Sequence, residues 1–212
     1  MDAKKKRQQV METYKLNINK NINDILFNDV LDKFIENKKC LIKASSIATY
    51  TFIINNHLRL EFGNLKINDI TEQLINDFIN KKLSKYKINL VHDIATLLKQ
   101  ILVFSNININ FSIPQKKKKS IDILTKTEIN KIKNSCFVNN DRVKFGILLT
   151  LYTGIRIGEL CALKKSDFDL EDKQLMINKT LLRIKNIDND TPKTKIICQS
   201  AKSNNSIRII PL

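Results

Sequence analysis

Arg156 and Glu159 are the pair of residues in this chain best suited to chemistry on an anion. They stand in the stretch 148–163, Leu-Leu-Thr-Leu-Tyr-Thr-Gly-Ile-Arg-Ile-Gly-Glu-Leu-Cys-Ala-Leu, where an apolar run ends at Thr153-Gly154. Gly154 suits the left-handed residue that closes a helix. The apolar positions Ile157, Leu160 and Leu163 predict a second, shorter helix over 155–163. Arg156 then lies on a turn between two buried helices, where a guanidinium is costly without an anionic partner. Glu159, three residues on, is placed to pair with it. The donors left over form a planar fork that matches a phosphate. A plain structural pair on a helical hairpin is the competing reading.

The elements that must position this pair follow from periodicity. Upstream, 24–38 carries one stripe of Ile25, Leu26, Val30, Leu31, Phe34 and Ile35. A second helix is expected after Ser45-Ser46, read as capping residues, with Ile47, Tyr50, Ile54 and Leu58 inward and a stop at Phe62-Gly63-Asn64. Thr71 is the expected N-cap of a third, which buries Leu74, Ile75, Phe78 and Ile79 and ends near Leu83. The fourth spans 87–105, with Leu90, Val91, Ile94, Leu97, Leu98, Ile101 and Leu102 inward. Four such helices with short links make a bundle.

Pro114 and four adjacent lysines, Lys116, Lys117, Lys118 and Lys119, then mark a boundary, because proline stops a helix and like charges stay solvated. Thr125 and Glu128 have capping-box spacing. Asp141 can cap the next helix, whose Val143, Phe145, Ile147, Leu148 and Leu151 lead to Gly154. Beyond Leu163 the period becomes two. One strand is expected over 175–184, a second over 195–199 and a third over 206–210. Residues 200–205 are read as a hairpin joining the last two, giving a three-stranded antiparallel sheet. Ile196, Ile207 and Ile209 are expected to be partly exposed beside its edges.

Thr153-Gly154-Ile155-Arg156-Ile157-Gly158-Glu159-Leu160 resembles the first arginine box of the tyrosine recombinases, the phage-integrase family. Ser45-Ser46-Ile47, Tyr50, His57-Leu58, Phe62-Gly63, Leu65 and Ile70-Thr71 resemble that family's SAM-like core-binding domain. The fold class implied is mainly α with a small antiparallel β-sheet. A basic leader covers 1–23, a SAM-like four-helix core-binding domain 24–113 and a basic linker 114–119. The N-terminal half of an α+β integrase catalytic domain follows over 120–212.

The resemblance implies that Arg156 grips a scissile DNA phosphate, with Glu159 and Gly154 supporting it. It makes Lys202, in the 200–205 hairpin, the donor of a proton to the departing 5′ oxygen, with Lys193 and Lys195 as lesser candidates. Lys116 to Lys119 would cross the DNA backbone, and Arg208 would be a further DNA contact. No metal and no cofactor are implied.

Charge agrees with a polyanionic partner. Lysine and arginine number 37 against 21 acidic residues, a formal charge of +16, and Lys4 to Arg7 add a basic start. Double-stranded DNA is the expected partner, with a full-length recombinase as a second. No membrane and no small-molecule substrate are expected, and the cytoplasm, at the nucleoid if the source is bacterial, is the expected place. Cys40, Cys136, Cys161 and Cys198 lack paired metal-ligand spacing. His57 and His92, in separate helices, are expected at surface or interhelical positions and make a poor metal site.

The resemblance runs from 24 to 212. The family's His-x-x-Arg box, its further His or Trp and its tyrosine nucleophile have no counterpart here. The tyrosines are Tyr14, Tyr50, Tyr86 and Tyr152, and the helical context of Tyr152 matches core packing. The expectation is a C-terminally truncated DNA-binding fragment of a mobile-element recombinase. Its parent reaction is strand cleavage and rejoining through a 3′-phosphotyrosine, and the chain itself is catalytically incomplete. The alternative is a non-enzymatic DNA-binding module acting as a repressor or as an inhibitor of a full-length recombinase. An adaptor whose basic surface serves only solubility is a third class, which salt-sensitive duplex binding would reject.

Overall fold

A computed structural model describes residues 25–117, 120, 122–138, 141–186, 191–200 and 206–212. The basic start Lys4 to Arg7, Lys118, Lys119 and Lys202 lie outside the described residues. The chain divides into two compact units, Met1–Lys119 and Ser120–Leu212.

The first unit is helical. Leu26 forms an antiparallel bridge with Lys66, Phe27 N donates to Leu65 O at 2.9 Å, and Ile67 N donates to Ile25 O at 3.0 Å. That extended pairing delays the first helix, α1, to Phe27–Lys39, three residues after the expected start. α2 covers Ala44–Ile53. It runs through a π-turn at Ile54–Leu58 into a single turn, α3, at Arg59–Phe62. Ser45 and Ser46 are not its caps. Lys43 holds the N-cap position and Ser46 N already donates to Lys43 O at 2.9 Å, so both serines are inside the first turn. α4 is Glu72–Leu83, and its cap is the expected one, with Thr71 Oγ1 accepting from Leu74 N at 3.2 Å. α5 is Ile88–Phe104.

These helices close on one apolar interior. Phe27, Phe34, Phe62, Ile75, Phe78, Ile94, Leu98 and Ile101 are all essentially solvent-free. Phe62 packs edge-on against both Phe27 and Phe78, with ring centroids 6.0 and 4.8 Å apart, a geometry that adds to the burial itself. His57 is buried on the π-turn, between the rings of Phe52 and Tyr86. At the end of the unit His92 Nδ1 lies 2.8 Å from Pro114 O and Lys116 pairs with Asp93 at 2.6 Å. The start of the lysine run is thereby tied to α5.

The second unit begins with α6, Lys126–Phe137, which carries the expected Thr125–Glu128 capping box. α7, Arg142–Thr153, is capped by Asp141. Gly154 closes it with φ 65° and ψ 19°, the left-handed geometry that a β-carbon penalises. α8, Ile157–Ala162, starts two residues later than the spacing predicts, because Arg156 is still extended. Ile157 does not face inward, being 73% exposed, and Ile155 takes the interior place instead.

The strands correct the expected topology. β1 (Phe168–Asp169), β2 (Gln174–Ile177) and β5 (Arg208–Pro211) form one antiparallel sheet in the order β1-β2-β5. β3 (Lys179–Lys185) and β4 (Thr194–Ser200) form a separate two-stranded ribbon. The strand expected over 175–184 is therefore two strands with different partners. Among the described residues β5 does not pair with β4, and 201–205 of the expected hairpin lie outside the described residues. The partner of β5 is β2, in a register that sets Leu175 opposite Ile210 and Ile177 opposite Arg208. The reason is apolar: Ile210 packs against the cluster of Leu149, Ile155, Leu175 and Ile177, whereas no such cluster backs β4, whose Ile196 is exposed. Ile207 and Ile209 are exposed as expected.

Candidate functional site

The site is built where α7 hands the chain to α8. Gly154 turns the backbone, and Arg156 occupies the N-cap of α8 with φ −75° and ψ 151°. Glu159, on the first turn, reaches back: its Oε2 accepts from Arg156 N at 2.9 Å and its Oε1 from Arg156 Nη1 at 3.0 Å. One carboxylate thus satisfies an orphan backbone donor and orients the side chain of the same residue. Gly158 lets this turn approach the ribbon, because a β-carbon there would meet Thr180 Oγ1 at 2.5 Å and Leu181 O at 2.9 Å.

Arg208 comes from β5. Its Nη2 donates to Glu159 Oε2 at 2.8 Å and its Nη1 to Glu159 Oε1 at 3.2 Å. Alternation explains its arrival. Arg208 and Ile210 share one face of the strand, and Ile210 is drawn to the apolar cluster. Glu159 is 5% exposed and fully ionised at neutral pH. The Arg208 hydrogen bonds, helped by those of Arg156, outweigh burial and bring its pKa down to about 2. Arg156 stays open, with its side chain 73% exposed. Arg208, expected as a DNA contact, directs both Nη groups to Glu159.

A second carboxylate repeats the device and was missed in the sequence. Asp167 Oδ2 accepts from Lys164 N at 2.7 Å, and Lys179 Nζ lies 2.7 Å from both oxygens. Burial pushes its pKa upward, but Lys179 and the Lys164 amide hold it below the ordinary value. The spacing of Lys164 and Asp167 matches that of Arg156 and Glu159, which was the available signal. Lys195 sits within β4 opposite Ile184, and Lys193 lies in the preceding loop.

Tyr152 is not core. It is 65% exposed, with Lys133 Nζ 4.5 Å above its ring. Beside the site, α6, α7 and α8 leave an open apolar groove of about 730 Å³, lined by Ile132, Val143, Phe145, Ile147, Leu160 and Phe168 among others. Among the described residues no cluster of His, Cys, Asp or Glu could hold a metal ion, and no helix is long and apolar enough to cross a membrane. In the first unit Lys116 and Lys117 are exposed, the former in its pair with Asp93.

Comparison with known proteins places these features. Residues 26–83 match the family described as phage integrase, N-terminal SAM-like domain. The chain is similar to a protein named tyrosine recombinase XerC-like from Caldanaerobacter subterraneus subsp. tengcongensis, with 26% identity over all of this chain and 58% of that protein. It is also similar to the integrase of Staphylococcus phage L54a, with 27% identity over 76% of this chain and 53% of that one. The chain thus spans a little over half the length of these relatives. Its fold is that of the Tn1549 transposon integrase solved with transposon right end DNA, with a TM-score of 0.68, 17% identity, and coverage of 89% of this chain and 61% of that one.

Proposed function

We propose that this relative of the tyrosine recombinases binds duplex DNA and presents Arg156 to a backbone phosphate. Kinship with that family is supported along the chain, by the matched SAM-like segment, the full-length similarity and the shared fold. The carrying observation is the state of Arg156: fixed by Glu159 at the N-cap of α8, yet with its side chain 73% exposed. A guanidinium fork suits a phosphate. The +16 charge supplies the attraction.

On this reading residues 24–113 are the core-binding domain and 114–119 a strap along the DNA, with Lys116 to Lys119 against phosphates. Residues 120–212 carry the catalytic-domain portion, and Lys202 is the general acid for the 5′ oxygen. The parent chemistry is transfer of a DNA phosphate to a tyrosine, and the nucleoid is where such a protein would work. Duplex binding by the full chain should weaken with salt, and each phosphate contact should add roughly −0.9 to the log–log slope. Arg156→Ala and the quadruple alanine variant of Lys116 to Lys119 should both flatten it. An unchanged slope in either would remove that contact from the reading.

The 212 residues alone should neither cleave nor rejoin DNA. None of the four tyrosines follows the strands as the family's nucleophile does, and covalent phosphoryl transfer needs an in-line oxygen nucleophile. A nicked suicide substrate should yield no protein–DNA adduct on a denaturing gel. An adduct that disappears in Arg156→Ala would overturn this and direct attention to Tyr152, whose hydroxyl-bearing ring is exposed near the site. A repressor, or an inhibitor of a full-length recombinase, is the second reading, favoured by a first unit that closes its own core. Repression of a reporter in cells without any recombinase would select it.

A further inference from the structure

We propose that Arg208 is a positioning residue for Arg156, acting through the Glu159 carboxylate rather than touching DNA. This rests on the reading of Arg156 as the phosphate grip. Each oxygen of Glu159 receives one hydrogen bond from each arginine. Oε1 takes Arg156 Nη1 and Arg208 Nη1, while Oε2 takes Arg156 N and Arg208 Nη2. A carboxylate offers about four acceptor sites, so this one is saturated, and it is buried, so it cannot turn toward water.

Saturation decides what Arg156 can do. A buried carboxylate facing only one cation would draw that guanidinium in and occupy its fork. Arg208 supplies the second cation, so Arg156 spends one Nη and its backbone amide on Glu159 and keeps the rest of its fork for an anion. The two exposures agree, 73% for Arg156 and 30% for Arg208. Arg208 commits both of its Nη groups to Glu159, and its Nη1 also donates to Ser206 O at 3.2 Å. Among the described residues the charged groups facing Glu159 are Arg156 from its own helix and Arg208 from β5. Arg208 is delivered by the docking of β5, through Leu175 opposite Ile210, Ile210 against the apolar cluster and Leu212 N bonded to Lys173 O at 2.7 Å. Docking of β5 on β2 thereby arms the arginine 52 residues earlier in the chain.

The test uses the full 212-residue chain, carbon-13 NMR of the Glu159 carboxyl and a double-mutant cycle on duplex DNA binding. Arg208→Gln should raise the carboxyl titration from about 2 toward the ordinary glutamate range. It should weaken duplex binding on the order of tenfold, and have no further effect once Arg156→Ala is present, as coupled residues behave. Arg208→Lys keeps the charge but not the fork, so it should not restore binding, and it serves as the titration variant should Arg208→Gln fail to fold. Additive losses, full rescue by lysine, or an unmoved carboxyl titration would each overturn the proposal and return Arg208 to a direct or unrelated role. If Arg156→Ala itself leaves DNA binding unchanged, the phosphate-grip reading fails. The carboxyl titration and the Arg156 Nε–H signal then still decide whether Arg208 orients Arg156.

Discussion

The two units differ in how they keep their apolar residues from water. In the first, helices α1 to α5 and a π-turn surround a single interior that buries Phe27, Phe34, Phe62, Phe78 and most of the isoleucines and leucines of α4 and α5. In the second, the corresponding cluster among the described residues is Leu149, Ile155, Leu175 and Ile177, while Val143, Phe145, Ile147 and Ile157 remain in solvent. The second unit nevertheless holds the arginine site. Its order there comes from polar devices, a capping carboxylate shared by two arginines and another shared by a lysine and a backbone amide. Burial sets the stability of one unit, and directed hydrogen bonding sets the geometry of the other.

That contrast can be broken most directly by truncation. Phe62→Ala should cost about 3–5 kcal/mol in the first unit, the usual range for removing a fully enclosed aromatic. Leu149→Ala in the second should cost only about 2 kcal/mol, the low end for such a change, because a side chain beside an open groove leaves little enclosed void. Hydrogen exchange on the full chain, read separately over each unit under urea, measures both. Equal losses would mean that the second unit depends on its core as the first does.

Gly154→Ala tests the polar side of the contrast. Its φ of 65° is the left-handed region, and nothing lies within 4 Å of where the β-carbon would stand. The cost should be about 1–2 kcal/mol of backbone strain. It should appear as faster exchange around 154–162 and leave the first unit unchanged. A silent substitution would show that the turn before Arg156 tolerates a side chain.

The smallest effect separates the units by acid. His57 has its pKa lowered from 6.5, by burial first and by Lys82 second, so the folded bundle favours the neutral ring. Stability is lost as the pH falls below 6.5, because the unfolded chain takes up the proton first. Glu159 acts in the same direction over a lower window: its contribution is whole above its ordinary 4.5 and is lost as the pH falls toward about 2. The first unit should therefore begin to loosen at milder acidity than the site of the second. Exchange rates followed from pH 7 to 3 should show that order, and His57→Gln should remove the early change in the first unit. The same early change persisting in His57→Gln would place its origin elsewhere.

The local sequence was enough for much of this molecule. The stripes over α4 and α5, the Thr71 and Asp141 caps, the Thr125–Glu128 box and the left-handed Gly154 all follow from interactions within about four residues. The bond between Arg156 and Glu159 belongs with them, since three residues on a first turn suffice to bring the two together. The sequence also carried the family resemblance. What only the tertiary structure decided was long-range. The late start of α1 depends on a bridge to Lys66, and the burial of His57 in part on the ring of Tyr86, 29 residues on. The exchange of partners that puts β5 on β2 depends on which apolar cluster Ile210 can reach. Arg208 shows the divide most plainly: its side of the strand is written in its alternation with Ile210. That its fork closes on a carboxylate 49 residues away could be settled only by the packing that brings β5 beneath α8.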